Sequence, residues 1–95
     1  MEKDFSYYAV IPAKILLDMD LSSQAKLHYG VISALCGKLG YCWATNKYLG
    51  DIFGQSERSV QRYLSELKDR KHITIEIDMM AGSERKIYLA VAKKE

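Results

Sequence analysis

The sequence predicts a single α+β domain in which helices come first and a β-hairpin follows them. Two observations support this prediction. Apolar residues recur at helical spacing as far as about residue 70, and beyond that point they alternate with polar residues. A glycine at position 54 separates two helical segments that lie next to each other in the chain. Together they predict three main helices, the last two joined by a tight turn, and a C-terminal hairpin.

The first 20 residues are predicted to form a strap and a short helix that precede the main domain at residues 21–95. The strap, Phe5–Ile11, is rich in aromatic and β-branched residues, which favours an extended segment. Pro12 suits the first position of a short helix over Ala13–Leu17. The sequence Asp18-Met19-Asp20 then ends that helix, and we expect these carboxylates to terminate it or to be solvated in a turn.

The first main helix is predicted to begin after Ser22, a favourable N-cap residue, and to run to about Lys38. It carries two apolar stripes. One comprises Ala25, Tyr29, Ile32, Cys36 and Leu39, and the other comprises Leu27, Val31, Ala34 and Leu35. A helix with so many apolar residues must bury more than one face. We expect one face to pack on the following helix pair, and the other to lie under the strap or against a second copy of the chain.

The next two helices have clear boundaries. Thr45 or Asn46 can cap the first of them, and Gly54 can end it because glycine adopts positive φ at little cost. Ser56 caps the second, and Gly50 lets the two helices cross closely. The predicted buried residues are Leu49, Ile52 and Phe53 in one helix and Val60, Leu64 and Leu67 in the other. This spacing is typical of a helix-turn-helix, whose second helix enters the DNA major groove.

The polar face of the second helix of this pair is the candidate for DNA contact. It carries Arg58, Ser59, Gln61, Arg62, Ser65 and Lys68. Arginine forms two parallel hydrogen bonds with guanine, and glutamine does so with adenine. The alternative is an ordinary helical hairpin whose polar face is solvated and forms surface ion pairs such as Arg62 with Glu66.

After this helix, alternating residues predict two antiparallel strands, which complete a winged helix-turn-helix. Ile73, Ile75, Ile77 and Met79 lie on one face of the first strand, and Ile87, Leu89 and Val91 on one face of the second. The turn falls at Ala81-Gly82-Ser83. We expect Ser83, Arg85 and Lys86 at the tip of the wing, where they could reach a phosphate or a minor groove. The alternative is a capping hairpin with a solvated tip, which the charge of Glu84 favours.

The segment Tyr41-Cys42-Trp43 is predicted to be a small strand that pairs with the hairpin, with Trp43 in the core. Cys36 and Cys42 are the only cysteines, and we expect buried thiols. With His28 and His72 they do not show the spacing of a zinc site. His28 is expected to be a partly buried packing residue.

Charge and composition narrow the class of function. The net charge is +2, residues 1–54 are balanced, and all four arginines fall between positions 58 and 85. The sequence shows no apolar run of membrane-spanning length and no signal-peptide pattern, so a cytoplasmic protein is predicted. It contains no recognisable nucleophile–base pairing, phosphate-binding glycine loop or metal-ligand set. We therefore predict a noncatalytic protein without a metal or other cofactor.

Several motifs resemble the winged helix-turn-helix domains of phage and plasmid replication proteins, which include replisome organisers and primosome components. The matching residues are Ile11-Pro12, Leu21-Ser22-x-x-Ala25-Lys26-Leu27-x-Tyr29, Gly40-Tyr41-Cys42-Trp43-Ala44-Thr45-Asn46-x-x-Leu49 and Phe53-Gly54-x-Ser56-x-x-Ser59-Val60-Gln61-Arg62-x-Leu64-x-x-Leu67. The resemblance covers roughly residues 5–77. The family favours glycine where this chain has Lys71-His72.

The resemblance implies an N-terminal DNA-binding domain of a replication initiation protein, with double-stranded DNA and the replication machinery as partners. Carried over to this chain, the DNA contacts of the family fall on Thr45, Asn46, Lys47, Ser56, Arg58, Ser59, Gln61 and Arg62. Arg85 and Lys86 of the wing complete the predicted site. The alternatives are a transcriptional regulator, or a protein-interaction module that dimerises through the helix Ala25–Leu39 or through Tyr7 and Tyr8 of the strap.

Overall fold

The computed structural model describes residues 7–82 and 84–90. The helices are α1 (Ala13–Leu16), α2 (Ser23–Leu35), α3 (Asn46–Phe53) and α4 (Glu57–Asp69), and the strands are β1 (Ile73–Asp78) and β2 (Glu84–Leu89). The two strands form an antiparallel hairpin around a short 3₁₀ turn, Met79–Ala81. This order confirms the predicted α+β fold, a winged helix-turn-helix. The predicted residues Phe5, Ser83 and Val91 lie outside the described part of the chain.

Hydrogen bonds from hydroxyl caps explain where the main helices begin. The side-chain oxygen of Ser22 accepts from the backbone N–H of Ala25, and that of Ser56 accepts from Ser59. For α3 the cap is Thr45, whose hydroxyl accepts from the N–H of Tyr48. Each bond pairs a backbone donor that the first turn leaves free.

The ends of these helices depend on their glycines. Gly54 adopts φ +67° immediately after α3, as predicted for the turn between the two helices. α2 ends at Leu35, which is three residues before the predicted Lys38. Gly37 lies in the turn that follows. Apart from proline, glycine has the lowest helix propensity, so it disfavours continuation of α2.

One apolar core joins α2, α3, α4 and the hairpin. The fully or almost fully buried side chains include Ala25 and Ile32 of α2, Leu49 of α3, Val60, Leu64 and Leu67 of α4, and Ile73 and Ile87 of the strands. The predicted buried face of α4 is therefore confirmed. Of the predicted α3 residues, Ile52 and Phe53 are only partly covered, and the Phe53 ring stacks on His28 of α2.

The N-terminal segment packs across α2. A Cβ atom placed on Gly30 would lie 3.2 Å from Cγ1 of Ile11 and 3.3 Å from Cβ of Ala9, so the segment passes directly over this glycine. Ile15 of α1 is buried in the core. In contrast, Leu27 on the adjoining part of α2 is 47% exposed. The strap therefore covers only part of the second apolar stripe of α2.

Asp18 ties α1 to the turn between α4 and β1. Its carboxylate accepts hydrogen bonds from His72 Nε2 at 2.8 Å and from Arg70 Nε at 3.0 Å. The bond from His72, then those from Arg70 and the backbone of Asp20, hold the pKa of Asp18 well below its usual range. The Asp18 side chain is only 6% exposed, so the prediction of a solvated carboxylate is wrong for this residue, although α1 does end just before it.

The same turn explains the departure from the family pattern at position 71. Lys71 adopts φ +65°, a conformation that favours glycine. The hydrogen bond from the N–H of His72 to the carbonyl of Leu67, at 2.9 Å, and the bond from His72 to Asp18 hold the turn on both sides. The turn therefore forms without glycine.

The segment Tyr41-Cys42-Trp43 pairs with the hairpin, as predicted, but through one isolated β-bridge at Cys42 rather than as a strand. The N–H of Cys42 donates to the carbonyl of Ile87 at 2.7 Å, and the N–H of Ile87 donates back at 3.0 Å. Cys42 is fully buried, which raises the pKa of its thiol to about 11, and Cys36 is also a buried free thiol. The prediction that Trp43 lies in the core is wrong, because strand alternation turns Cys42 and Ala44 inward and leaves Trp43 43% exposed, with its ring against Tyr48.

His28 is a packing residue, as predicted, and is completely buried. Its ring stacks on Phe53 at a centroid distance of 4.0 Å, and its Nδ1 lies 2.8 Å from the carbonyl oxygen of Gln24. Burial lowers the pKa of this histidine. Within residues 7–82 and 84–90, no helix has both the length and the apolar composition needed to cross a membrane.

Candidate nucleic-acid interface

The exposed face of α4 presents two arginines to solvent. Arg58 forms no hydrogen bond or ion pair with any residue in the described part of the chain. Arg62 lies along the neighbouring Tyr63, with its guanidinium carbon 5.3 Å from the centre of that ring. The only hydrogen bond of Arg62 within the described residues is a long one, 3.4 Å, to the Tyr63 hydroxyl.

Glu66 does not neutralise Arg62, although the two residues are four positions apart on the same helix. Its carboxylate instead accepts from the backbone N–H of Ser22 at 2.8 Å and from the Ser22 hydroxyl at 2.9 Å. The alternative prediction of an Arg62–Glu66 surface ion pair is therefore wrong. This arrangement leaves the positive charge of Arg62 available to a partner.

The hydroxyl residues at the starts of α3 and α4 have structural roles in the free protein. Thr45 and Ser56 serve as caps, and the Ser56 hydroxyl also lies 3.2 Å from that of Ser59. Lys47 forms an exposed ion pair with Asp51, with 3.3 Å between Nζ and Oδ2. Such exposed pairs contribute little to stability and can exchange partners easily.

A groove of about 230 Å³ separates α4 from the inner face of the hairpin. It brings together three residues of the predicted site, which are Asn46, Gln61 and Arg85. Two further polar residues, Ser65 and Lys68, also line it. They were recognised on the polar face of α4, but were not included in the predicted site. Their spacing of four and seven residues from Gln61 was the signal that could have identified them.

Arg85 does not lie at the tip of the wing, and the structure corrects this prediction. It pairs with Ile77 in the hairpin, and its side chain points back toward α3. Its guanidinium donates to Asn46 Oδ1 at 2.8 Å and to the carbonyl of Ala44 at 2.7 Å. Partial burial lowers the pKa of Arg85 below its ordinary value.

Lys86 is not at the tip either, and lies on the opposite face of the hairpin from Arg85. The two residues are adjacent in a strand, so their side chains must point in opposite directions. Lys86 is paired with Glu76 across the hairpin, and its Nζ lies 5.0 Å from the centre of the Tyr41 ring. The prediction that Arg85 and Lys86 both lie at the tip of the wing is therefore wrong.

The match to a known family agrees with this arrangement. Residues 20–73 match the model of a helix-turn-helix domain family, and this segment includes α2, α3, α4 and the beginning of β1. Searches of curated proteins and of solved structures gave no match. Because the matched segment is more than half of the sequence, the chain belongs to this helix-turn-helix domain family.

Proposed function

We propose that this chain is a noncatalytic domain that binds double-stranded DNA, with α4 as the helix that enters the major groove. The observation that carries the proposal is the exposed pair Arg58 and Arg62, for which the described residues provide no carboxylate partner. Membership of a helix-turn-helix family supports the same function. The weak net charge of +2 predicts modest affinity with a strong dependence on salt.

The proposed contacts divide into two kinds. Arg58, Gln61 and Arg62 contact base edges, since arginine suits guanine and glutamine suits adenine. The beginnings of α3 and α4 contact phosphates through backbone N–H groups and polar side chains. The residues proposed for phosphate contact are Thr45, Asn46, Lys47, Ser56 and Ser59.

We propose DNA replication initiation, as in phage and plasmid replication proteins, as the biological setting. The resemblance in the segment Gly40–Leu49 supports this choice, while the family match fits a transcriptional regulator equally well. A single domain of this size buries a modest area on DNA, so useful affinity requires two copies or a link to a larger protein. The partly exposed Leu27 on α2 is a candidate contact for such a second copy.

Selection of bound sequences from a random duplex pool tests binding and sequence preference together. We expect an enriched motif containing guanine, and weaker binding of that motif by Arg58→Ala. The matched control is Lys38→Ala, which removes an exposed positive charge in the turn after α2. Absence of enrichment together with absence of affinity at low salt would refute the proposal.

A further inference from the structure

The groove between α4 and the hairpin has the size of a small-anion site. The groove, of about 230 Å³, is open to solvent on one side and can admit a tetrahedral anion. Ile75 and Ile77 of β1 form its apolar wall, and residues of α3, α4 and β2 form its polar rim. It lies beside the face of α4 that carries Arg58 and Arg62.

Both charged residues that line this groove are cations. Lys68 is exposed in the last turn of α4, and Arg85 is partly buried on the hairpin. No aspartate or glutamate is among the described residues that line the groove. Within residues 7–82 and 84–90, the hydrogen-bond acceptors of Arg85 are the amide oxygen of Asn46 and the carbonyl of Ala44, and both are neutral.

A partly buried guanidinium whose partners among the described residues are neutral is incompletely compensated for its loss of water. Desolvation is also the main cause that lowers the pKa of Arg85, although an arginine remains protonated at neutral pH. An anion in the groove would provide the missing counter-charge. The remaining N–H groups of the guanidinium are available for this purpose.

The hydrogen bond between Arg85 and Asn46 also orients a donor. Because Oδ1 of Asn46 accepts from Arg85, the NH₂ group of the same amide faces no acceptor among the described residues and can donate to a ligand. The side chains of Gln61 and Ser65 provide further donors at the rim. The groove therefore combines two positive charges with several hydrogen-bond donors, which is the chemistry that binds phosphate.

We propose that this groove binds one phosphate of the DNA backbone, with Arg85 and Lys68 as its cations. The inference rests on the proposed DNA-binding function and adds to it a site between helix and hairpin. Bound there, the phosphate bridges α4 and the wing and sets the position of the domain on the duplex. Asn46 and Ser65 act as additional donors, while Gln61 at the rim remains a base-contacting residue.

Ser65→Glu tests the site because it places a carboxylate where the phosphate should lie. The matched control is Ser65→Gln, which has nearly the same shape without the charge. Compared with this control, Ser65→Glu should have a higher melting temperature, since Arg85 gains a counter-ion, and at least tenfold weaker affinity for a selected duplex. Equal duplex affinity of the two variants, with wild-type binding intact, would refute the phosphate site and leave the proposed function standing.

Inorganic phosphate separates the chemistry of the groove from DNA binding. It should raise the melting temperature of the wild-type protein saturably, and should have no such effect on Ser65→Glu. A phosphate-dependent rise of equal size in both proteins would overturn the proposal. A wild-type chain without affinity for any duplex would refute both the proposed function and this inference. Equal duplex affinity of the Ser65 variants, in contrast, would refute the phosphate site alone.

The source of the phosphate is tested on the duplex itself. Replacing single phosphates with neutral methylphosphonates should identify one position that weakens wild-type binding about tenfold and weakens Lys68→Gln by a smaller factor, since this variant retains Arg85. The salt slope of log K should also fall by about one for Lys68→Gln and remain unchanged for the control Lys38→Gln. Equal sensitivity of wild type and Lys68→Gln at every position would overturn the assignment of this phosphate to the groove cation Lys68.

Discussion

The two ends of α4 both carry arginine, but the fold treats them differently. Arg70, just after the helix, donates to the buried carboxylate of Asp18 at 3.0 Å and lies 3.5 Å from Asp20. Arg58 and Arg62, in the first half of the helix, face solvent without a carboxylate partner among the described residues. One end is therefore neutralised by the chain itself, and the other retains its charge for a partner.

The comparison shows that the role of an arginine depends on where the nearest carboxylates are directed. Asp18 is 52 positions away from Arg70 in the sequence, and the fold brings the two together. Glu66 is four positions from Arg62, and the fold directs it to Ser22 instead. The Asp18 end is therefore a structural anchor, and the Arg58 end is the proposed binding surface.

Gly50→Ala should give the largest effect on stability, because it disturbs the crossing of α3 and α4 that positions the Arg58 end of α4. A Cβ atom at this position would lie 2.5 Å from the carbonyl oxygen of Gln55, which is backbone and cannot move away easily. We expect a loss of about 3 kcal/mol in unfolding free energy, as for severe overpacking, measured by urea denaturation.

Gly37→Ala is the control for this substitution. There, the nearest atom to an added Cβ is the carbonyl oxygen of Ala34 at 3.4 Å, which is an ordinary contact. Its stability should stay within about 0.5 kcal/mol of wild type. Equal stability of the two variants would contradict the close helix crossing.

Asp18→Asn should remove the ion pair at the Asp18 end of α4 and leave Arg70 without its main carboxylate partner. Arg70 and His72 would lose their shared anion, so we expect a lower melting temperature with DNA affinity retained. The low pKa of Asp18 means that its contribution is present above the ordinary aspartate pKa of about 4 and is lost as the pH falls below it. Thermal unfolding between pH 7 and pH 2 should show that the melting temperature falls more steeply with decreasing pH in wild type than in the variant. Identical acid profiles would show that the anchor contributes no stability.

His28→Leu should have the smallest effect on stability. It changes the packing beneath the first half of α4, where His28 contacts Tyr63. His28 lies between Phe53 and Tyr63, and its Nε2 is buried without a partner among the described residues. Because burial lowers its pKa, the unfolded state binds a proton more readily, and stability falls as the pH drops below about 6.5. The variant should lose this part of the pH dependence between pH 8 and pH 5.5 in thermal unfolding. An unchanged profile would contradict the assignment to His28.

The helix pair could be predicted from the sequence because its signals are local. Ser22 and Ser56 cap the helices to which they belong, and Gly54 ends α3 through its own backbone conformation. The alternation of isoleucines similarly located the hairpin. None of these signals requires knowledge of a distant residue.

The parts that could not be predicted depend on long-range partners. The direction of the Arg85 side chain is set by Asn46, 39 positions away, and the burial of Asp18 by His72, 54 positions away. Trp43 is a different case, because the short strand around it was predicted. An inward Cys42 requires an outward Trp43, so consistent use of the strand period would have placed it correctly.

The central claim is that the arginines without a carboxylate partner, rather than all arginines near α4, bind DNA. The most direct test measures duplex affinity against salt for Arg58→Ala/Arg62→Ala and for Arg70→Ala. The double variant should lose about 1–3 kcal/mol for each base contact removed, while Arg70→Ala should keep wild-type affinity and salt slope despite a lower melting temperature. Wild-type affinity in the double variant, or a greater loss in Arg70→Ala, would contradict the account.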